Sequence, residues 1–196
     1  MPSPRRIILA STSKYRRALL ERLGIGFECA DPLTDETPRP AEAKAITAVR
    51  LAKAKARAVA ADFPDALIIG SDQVASCDDA RLEKPGNHEN AVRQLTAMSG
   101  RTARFDTAVA LLDSASGKMG VKVVACDVTF RQLSAQQIER YLRIEQPYDC
   151  AGSAKVEGLG IALIERIETE DPTSLIGLPL IALTQLLADA GAPVFG

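Results

Sequence analysis

The sequence contains no tryptophan, a single histidine and only four cysteines among its 196 residues. The cysteines are far apart and form no C-x-x-C pair, so zinc motifs and thioredoxin-type redox motifs are excluded. Reduced thiols in a cytoplasm suit this pattern best. His88 has neither a second histidine nor a suitably spaced cysteine, which makes it a poor metal ligand, and we expect it at the surface.

The chain also lacks an excess of charge and a long apolar run. Lysine and arginine number 24 against 25 aspartates and glutamates, so no global field attracts nucleic acid or an anionic membrane. The longest apolar stretch, residues 175–183, is interrupted by Gly177 and Pro179 and is far shorter than the roughly 20 residues of a membrane helix. The run at residues 7–9 is too short for a signal peptide. We therefore expect a soluble protein in which any cationic site is local.

The length predicts one compact unit that buries about 70% of its unfolded surface. Apolar runs at residues 7–10 and 67–69 indicate buried strands, and periodic segments at residues 14–23 and 40–63 indicate helices. Further predicted elements are a helix over residues 87–99, strands over 102–112, 121–131 and 161–167, a helix from the capping box at Ser134 through Glu145, and a last helix over residues 180–188. This succession is typical of an α/β fold.

Asp72 follows the strand at residues 67–69 and is preceded by Gly70, which we interpret as a turn residue. Open α/β sheets keep their ligands at the carboxyl ends of their strands. Our hypothesis is that Asp72 is the catalytic carboxylate of a metal-assisted nucleotide hydrolase. The alternative is an ordinary turn or helix-capping aspartate.

Three cations, Lys14, Arg16 and Arg17, lie in the first turn of the helix that begins at residue 14, after hydroxyls that include Ser11. Cations are unfavourable at the positive end of a helix unless an anion lies between them. A phosphate would satisfy both these cations and the free backbone N–H groups. The segment lacks the glycines and lysine of a P-loop, and a solvated basic face is the alternative.

Other segments offer polar groups whose roles the pattern leaves open. The helix over residues 40–63 carries its predicted core stripe on Ile46, Val49, Ala52, Ala56, Val59 and Phe63. Lys53 and Lys55 flank that stripe, and periodicity does not choose between them. Glu36 lies in an acidic loop, as a turn residue or a metal ligand, and Lys84 precedes a proline, as a rigid phosphate contact or a solvated side chain. The glycine-rich loop at residues 150–160, with Lys155 and Glu157, is either a connector or a ligand loop.

Taken together, these residues suit attack of water on phosphorus and need no side-chain nucleophile, because such catalysis is mostly positioning and charge neutralisation. With no histidine or cysteine cluster, we expect a hard divalent cation, magnesium or manganese, held by carboxylates and substrate phosphates. An ordinary aspartate is a weak base, and metal coordination would acidify the attacking water enough for Asp72 to accept its proton.

Motifs along nearly the whole chain resemble the Maf family of nucleotide pyrophosphatases: LASTS at residues 9–13 with YRR at 15–17, DETP at 35–38, RLAKAKA at 50–56, GSDQV at 70–74, KP at 84–85, CAGS at 150–153, EGLGI at 157–161 and GLP at 177–179. The resemblance implies an elongated α/β fold with a mixed sheet flanked by helices, similar to that of inosine triphosphate pyrophosphatases. It implies a single domain with an active-site cleft between two lobes, a cytoplasmic homodimer and a divalent metal.

The resemblance also implies cleavage of a nucleoside triphosphate between its α and β phosphates, with Asp72 as the proton acceptor. Ser11, Arg16, Lys55 and Lys84 match the phosphate-binding positions, which favours Lys55 over Lys53, and Glu36 and Asp72 match the metal-binding positions. Neither nucleic acid nor membrane is an expected partner.

Three further residues, Tyr15, Gln73 and Glu157, match the positions at which branches of the family differ in substrate, and here they are similar to the branch that acts on 7-methyl-GTP. Tyr15 would stack on the cationic methylated guanine, and Glu157 would accept hydrogen bonds from guanine N1 and N2. One departure is Lys14, where this branch often has proline. The alternatives are a dTTP or UTP pyrophosphatase and a nucleotide-binding regulator of cell division with little turnover.

Overall fold

The computed structural model describes residues 5–78 and 80–195. In these residues it has an α/β fold, as predicted. The strands are β1 (Arg6–Ala10), β2 (Glu28–Ala30), β3 (Ala66–Cys77), β4 (Ala80–Leu82), β5 (Thr102–Asp113), β6 (Met119–Phe130) and β7 (Ile164–Thr169). The helices are α1 (Lys14–Glu21), α2 (Lys44–Ala58), α3 (His88–Met98), α4 (Ala135–Glu145) and α5 (Leu180–Asp189), with short 3₁₀ turns at Ala151–Ser153, Leu159–Leu163 and Pro172–Ile176.

The strands form a mixed seven-stranded sheet with the order β2-β1-β3-β5-β6-β7, and β4 pairs with β3 outside this path. β1 is parallel to both β2 and β3. β4 runs antiparallel to β3, and β7 runs antiparallel to β6. The predicted mixed sheet flanked by helices is therefore confirmed. No helix of the described chain is long and apolar enough to cross a bilayer.

The chain divides into two compact units. The first comprises the residues up to Gln73, Asp106–Val124 and the residues from Asp171 onward, and the second comprises Val74–Phe105 and Ala125–Glu170. The single domain with a cleft between two lobes stays a prediction.

In the first unit, alternate residues of the central strands pack on opposite faces of the sheet, as the period of a strand requires. Leu9, Leu67 and Ile69 belong to a buried cluster with leucines of α1 and α5. Ile8 and Ile68 belong to a second cluster that includes Ala56 of α2. In the part of β3 that belongs to the first unit, even-numbered residues therefore face α2, whereas odd-numbered residues face α1 and α5.

The prediction that the strand ends before Asp72 is wrong, because β3 continues to Cys77. Gly70 does not turn the chain. A Cβ added at this residue would lie 2.1 Å from the carbonyl oxygen of Ala52 and 2.8 Å from the nitrogen of Ala56, both on α2. Gly70 thus allows the backbone of α2 to approach β3 closely, which is the second common reason for a glycine in a strand.

The predicted core stripe of α2 is also partly wrong. The residues buried on this helix are Thr47, Ala48, Leu51, Ala52, Lys55 and Ala56. Ile46, expected in the core, is 60% exposed. The helix begins at Lys44 rather than at residue 40, and its buried face includes Lys55, so this lysine points towards the sheet.

We expect Gly70→Ala to destabilise the protein by about 1–3 kcal/mol or more, because the added methyl group would press on α2 backbone atoms that cannot move alone. Urea unfolding of the variant would measure the change. Gly26→Ala is the matched control, since a Cβ there meets nothing within 4 Å. Equal stability of both variants would show that α2 does not approach β3 as closely as described.

In the second unit, the predicted helix from Ser134 through Glu145 is confirmed. Ser134 accepts a hydrogen bond from the backbone of Gln137, whose side chain accepts one in return, so the capping box is present. Ile138, Tyr141 and Leu142 are buried, as expected from their spacing. The last strand begins at Ile164 rather than at residue 161, because the residues before it form a 3₁₀ turn.

Candidate active site

A lysine held between two carboxylates forms the centre of the site in the first unit. The Nζ atom of Lys55 lies 2.7 Å from Oδ1 of Asp72 and 2.6 Å from Oε1 of Glu36. The side chains of Lys55 and Asp72 are only 6% and 7% exposed, whereas that of Glu36 is 59% exposed. The structure therefore brings together Lys55, Asp72 and Glu36, three of the residues predicted for the site.

The local fold explains why these side chains meet. Asp72 has an even number on β3 and faces α2, next to Gly70, whose missing side chain lets α2 approach. Lys55 lies on the buried face of that helix, one turn from Leu51. It is therefore Lys55 that reaches Asp72, while Lys53 is only half-buried.

Of the cations grouped at the start of α1, Arg16 is the one that turns inward. Its Nε donates to the carbonyl of Gly177 at 2.8 Å, and its Nη1 lies 3.5 Å from Oγ of Ser11. Desolvation lowers the pKa of Arg16, and the negative charges of Asp72 and Glu36 oppose that effect. Arg17 instead forms an exposed ion pair with Glu21. Of the predicted cluster of three cations, Arg16 therefore turns towards Gly177 and Ser11, whereas Arg17 stays at the surface.

Tyr15 lies next to Arg16 and carries a cation on its ring. Nζ of Lys14 lies 4.9 Å from the centroid of the Tyr15 ring. A lysine ammonium over an aromatic face is an attractive contact. The residue that departs from the family pattern therefore touches the aromatic ring that is predicted to stack on the base.

The odd-numbered residues Ser71 and Gln73 of β3 contact the 3₁₀ turn Pro172–Ile176 and the glycine that follows it. Oγ of Ser71 donates to the carbonyls of Ala108 and Gly177 at 2.8 and 2.9 Å. Nε2 of Gln73 donates to Thr107 Oγ1 at 3.0 Å and lies 2.9 and 3.2 Å from the carbonyl oxygens of Ser174 and Leu175. Neighbouring residues of one strand thus bind different parts of the unit: Asp72 binds α2, and Gln73 binds residues 174–175.

The loop that carries Glu36 is attached to α2 by a second ion pair. Arg50 binds both carboxylate oxygens of Glu42 at 2.8 Å, and its Nη2 donates to the carbonyl of Thr37 at 3.3 Å. The bond from Arg50 lowers the pKa of Glu42 to about 2. Glu36 and Lys55 are therefore both supported by α2.

The residues that would hold a divalent cation are Glu36 and Asp72. Their oxygens converge on the same Lys55 nitrogen, and carboxylates are the ligands that hard cations prefer. No cluster of three or more histidine, cysteine, aspartate or glutamate side chains suited to a metal occurs among the described residues. The pair fits an ion that takes its remaining ligands from substrate phosphates and water, and does not fit a site built only of protein ligands.

The other predicted site residues lie in the second unit. Lys84 is exposed, and hydrogen bonds fix the backbone on both sides of it. Gly86 donates to the carbonyl of Tyr148, and side chains of α3 donate to the carbonyls of Glu83 and Pro85. This fixed backbone agrees with the predicted rigid loop. The placement of Lys84 against Asp72 stays a prediction.

Glu157 is exposed on a loop that the end of α4 holds in place. Glu145 accepts hydrogen bonds from Nζ of Lys155 and from the backbone of Leu159, both at 2.8 Å. The hydrogen bonds from Lys155 and from the backbone of Leu159 hold the pKa of Glu145 below its ordinary value, and the bond to Glu145 raises the pKa of Lys155. A Cβ at Gly160 would lie 2.5 Å from the oxygen of Lys155, so the glycine allows this tight loop. Lys155, considered as a ligand contact, is instead a partner of Glu145.

Three residues that support the site escaped the sequence analysis: Arg50, Thr107 and Glu145. Arg50 lies inside the RLAKAKA motif, and that position was the one available signal for it. Thr107 lies within a predicted strand, and Glu145 at the end of a predicted helix. A position within a strand or at the end of a helix does not indicate which residue the side chain will contact, because the contacted residues lie in other segments of the chain.

A family model described as Maf-like protein matches residues 6–190 of the chain. A protein of Cupriavidus metallidurans named 7-methyl-GTP pyrophosphatase is 55% identical over 97% of this chain and 96% of its own. Relatives with the same name from Burkholderia lata and a Polaromonas species are 56% and 55% identical over 98% and 99% of this chain, and over 93% and 89% of their own.

Proposed function

Because the chain belongs to the family of Maf-like proteins, we propose that it is a nucleoside triphosphate pyrophosphatase that converts 7-methyl-GTP to 7-methyl-GMP and pyrophosphate. Such an activity would remove modified nucleotides. Similarity over nearly the whole length to proteins named 7-methyl-GTP pyrophosphatase supports both the reaction and the substrate. The single structural observation that carries the proposal is the buried Lys55–Asp72 pair with Glu36 beside it.

Asp72 is the proton acceptor in this proposal. Water attacks the α phosphorus, a bond forms between the water oxygen and that phosphorus, and the bond to the bridging oxygen of the β phosphate breaks. The proton of the water passes to Asp72, and pyrophosphate leaves. Since the reaction needs positioning more than covalent chemistry, the fixed place of Asp72 on a central strand suits the role.

Cationic and hydroxyl groups bind the phosphates. Arg16 is held by Gly177 and Ser11, so its guanidinium is positioned before a substrate arrives. Ser13 caps α1, and the positive end of the dipole of this helix favours an anion nearby. Lys55 supplies a buried positive charge, and Lys84 is proposed as a further phosphate contact on the resemblance to the family. Together these groups would offset the charge that develops on the leaving pyrophosphate.

A divalent cation, magnesium or manganese, would be held by Glu36 and Asp72. When bound, it acidifies water and neutralises phosphate charge. Lys55 lies at hydrogen-bond distance from both carboxylates, so lysine and cation would share these oxygens or compete for them. Binding of the substrate phosphates gives Lys55 an alternative anionic partner.

Tyr15, Gln73 and Glu157 are assigned to recognition of the base. Tyr15 offers an aromatic face to a positively charged 7-methylguanine, in competition with the Lys14 ammonium that now lies on the ring. Glu157 is an exposed carboxylate on a supported loop, and it would accept hydrogen bonds from guanine N1 and N2.

We expect Glu157→Ala to lower kcat/KM for 7-methyl-GTP by about tenfold, because one charged acceptor for the base is lost. The same substitution is expected to leave kcat/KM for UTP nearly unchanged. Steady-state assays on both substrates measure the ratio. Glu165→Ala is the control, as another exposed glutamate of the second unit. An unchanged preference in Glu157→Ala would remove this residue from recognition of the base.

The experiment that tests the substrate assignment compares kcat/KM for 7-methyl-GTP, GTP, dTTP, UTP and CTP with magnesium and with chelator. We expect 7-methyl-GTP to rank first and the chelator to abolish turnover. A preference for dTTP or UTP would keep the chemistry and overturn the substrate. Binding of nucleotides without turnover would favour a nucleotide-binding regulator of cell division instead.

We also propose a cytoplasmic homodimer that binds neither nucleic acid nor membrane. The nearly balanced charge supports the absence of nucleic acid and anionic membrane as partners, whereas the cytoplasmic location and the dimer rest on the resemblance to the Maf family. Light scattering of the purified protein would measure its mass, and a mass of one chain would contradict the dimer.

A further inference from the structure

We infer that Thr107 fixes the orientation of the Gln73 amide, so that Gln73 presents its oxygen as a hydrogen-bond acceptor to a ring N–H of the substrate base. The inference rests on the proposed nucleotide pyrophosphatase function. In this inference Thr107 is a positioning residue, and the amide oxygen is the end of Gln73 that contacts the ligand.

Two backbone carbonyls determine which end of the Gln73 amide faces the protein. Nε2 of Gln73 lies 2.9 Å from the carbonyl oxygen of Ser174 and 3.2 Å from that of Leu175. Carbonyl oxygens only accept hydrogen bonds, so the NH₂ end of the amide must face them. The flipped amide would place oxygen against oxygen. The environment, rather than the shape of the side chain, therefore decides the orientation.

Thr107 provides a third acceptor for the same NH₂ end of Gln73. Its hydroxyl donates to the carbonyl oxygen of Ser174 at 3.0 Å and lies 3.0 Å from Nε2 of Gln73. Because the single hydroxyl hydrogen goes to the carbonyl, the oxygen of Thr107 can only accept from Gln73. Thr107 and Ser174 are fully buried, which strengthens these bonds relative to water. A flipped Gln73 would lose its contacts with Thr107, Ser174 and Leu175 at once.

The fixed amide has a consequence for the ligand. Gln73 is half-buried, and its nitrogen is occupied by protein acceptors, so the oxygen is the end that remains for a substrate. An acceptor placed opposite the ring nitrogen of the Watson–Crick edge selects a base that has a ring N–H donor there. Guanine offers N1–H and uracil or thymine offers N3–H, whereas cytosine and adenine have unprotonated ring nitrogens there. The arrangement therefore suits guanine, uracil or thymine and disfavours cytosine and adenine.

The test compares Thr107→Val, which keeps the shape and loses the hydroxyl, with Thr107→Ser, which keeps the hydroxyl. We expect Thr107→Val to raise KM for 7-methyl-GTP by about tenfold with kcat nearly unchanged, because the NH₂ end of Gln73 loses its side-chain acceptor and is held by the two backbone carbonyls alone. Thr107→Ser should resemble the wild type. Inhibition by tripolyphosphate, which has no base, should be the same in all three proteins, and a merely structural defect would weaken it.

A double-mutant cycle with Gln73→Met shows whether Thr107 acts through Gln73. Methionine has a similar length and no amide oxygen. We expect Thr107→Val to add nothing to the higher KM of Gln73→Met, and independent effects would overturn the inference. An unchanged KM in Thr107→Val would overturn it too. If Thr107→Val does not fold, Thr107→Ala takes its place in the cycle.

The experiments distinguish failure of this inference from failure of the proposed function. Failure of the wild type to release pyrophosphate from any nucleotide would refute the function, and the same cycle would then be measured as Kd for 7-methyl-GTP and tripolyphosphate. Normal turnover by the wild type, with KM insensitive to Thr107→Val, would refute only the role of Thr107.

Discussion

Replacement of Asp72 by asparagine is expected to lower kcat for 7-methyl-GTP by about 10²–10⁴-fold, the range for loss of a positioned general base. The amide is nearly isosteric with the carboxylate but does not accept a proton from water. Because the amide oxygen can still accept a hydrogen bond from Lys55, which also keeps Glu36 at 2.6 Å, the variant should remain folded with lower stability. Steady-state kinetics and a thermal unfolding curve measure both effects.

The matched control for this substitution is Asp65→Asn, which makes the same chemical change in the first unit. The side chain of Asp65 is 82% exposed and lies just before β3. We expect its kcat to match the wild type. Full activity of a folded Asp72→Asn protein would remove Asp72 from the mechanism and leave its pairing with Lys55 as a structural feature.

Replacement of Lys55 by methionine is expected to have the largest effect on stability. The carboxylate of Asp72 would stay buried without its closest cation, and breaking one side of a buried ion pair costs about 3–5 kcal/mol. The exposed contact between Lys55 and Glu36 contributes little to this loss. Urea unfolding measures the change, and the substitution should also weaken phosphate binding.

Lys53→Met is the natural control, because Lys53 lies two residues away on the same helix and is only half-buried. We expect its stability to change by no more than about 0.5 kcal/mol. Lys55→Met combined with Asp72→Leu should recover much of the lost stability, since no buried charge is then left alone. Equal stability of Lys55→Met and Lys53→Met would contradict the buried pair.

Local patterns predicted the elements whose signals are themselves local. The capping box at Ser134 and Gln137 and the inward side of α4 follow from residues within two helical turns. The first strand and the helix after it were predicted equally well, because a short apolar run and a serine cap mark their limits. These features need no information about distant parts of the chain.

The phase of α2 was not predictable in the same way. This helix is rich in alanine, which is tolerated on either face, so Ile46 and Val49 determined the predicted stripe. In the structure Thr47 is buried and Ile46 is exposed. Lys55 is on the buried face because Asp72 meets it there, and a periodicity rule treats a lysine as evidence against burial.

Gly70 and Thr107 show the same limit in strands. Gly70 was interpreted as a turn residue, but the structure shows that it allows the backbone of α2 to approach β3. The residues next to Gly70 in the sequence give no sign of this contact. Thr107 lies 34 residues from Gln73 and 67 from Ser174 in the sequence. The resemblance to a family predicted site roles for Lys55, Asp72 and Gln73, whereas the groups that contact these side chains emerge only from the structure.

The most direct test of the central claim is analysis of the products that the purified wild-type protein forms from 7-methyl-GTP in the presence of magnesium. Chromatography identifies the nucleotide, and separate assays measure pyrophosphate and orthophosphate. We predict 7-methyl-GMP and pyrophosphate in equal amounts, with no orthophosphate. Formation of 7-methyl-GDP with orthophosphate, or recovery of intact 7-methyl-GTP, would contradict hydrolysis between the α and β phosphates.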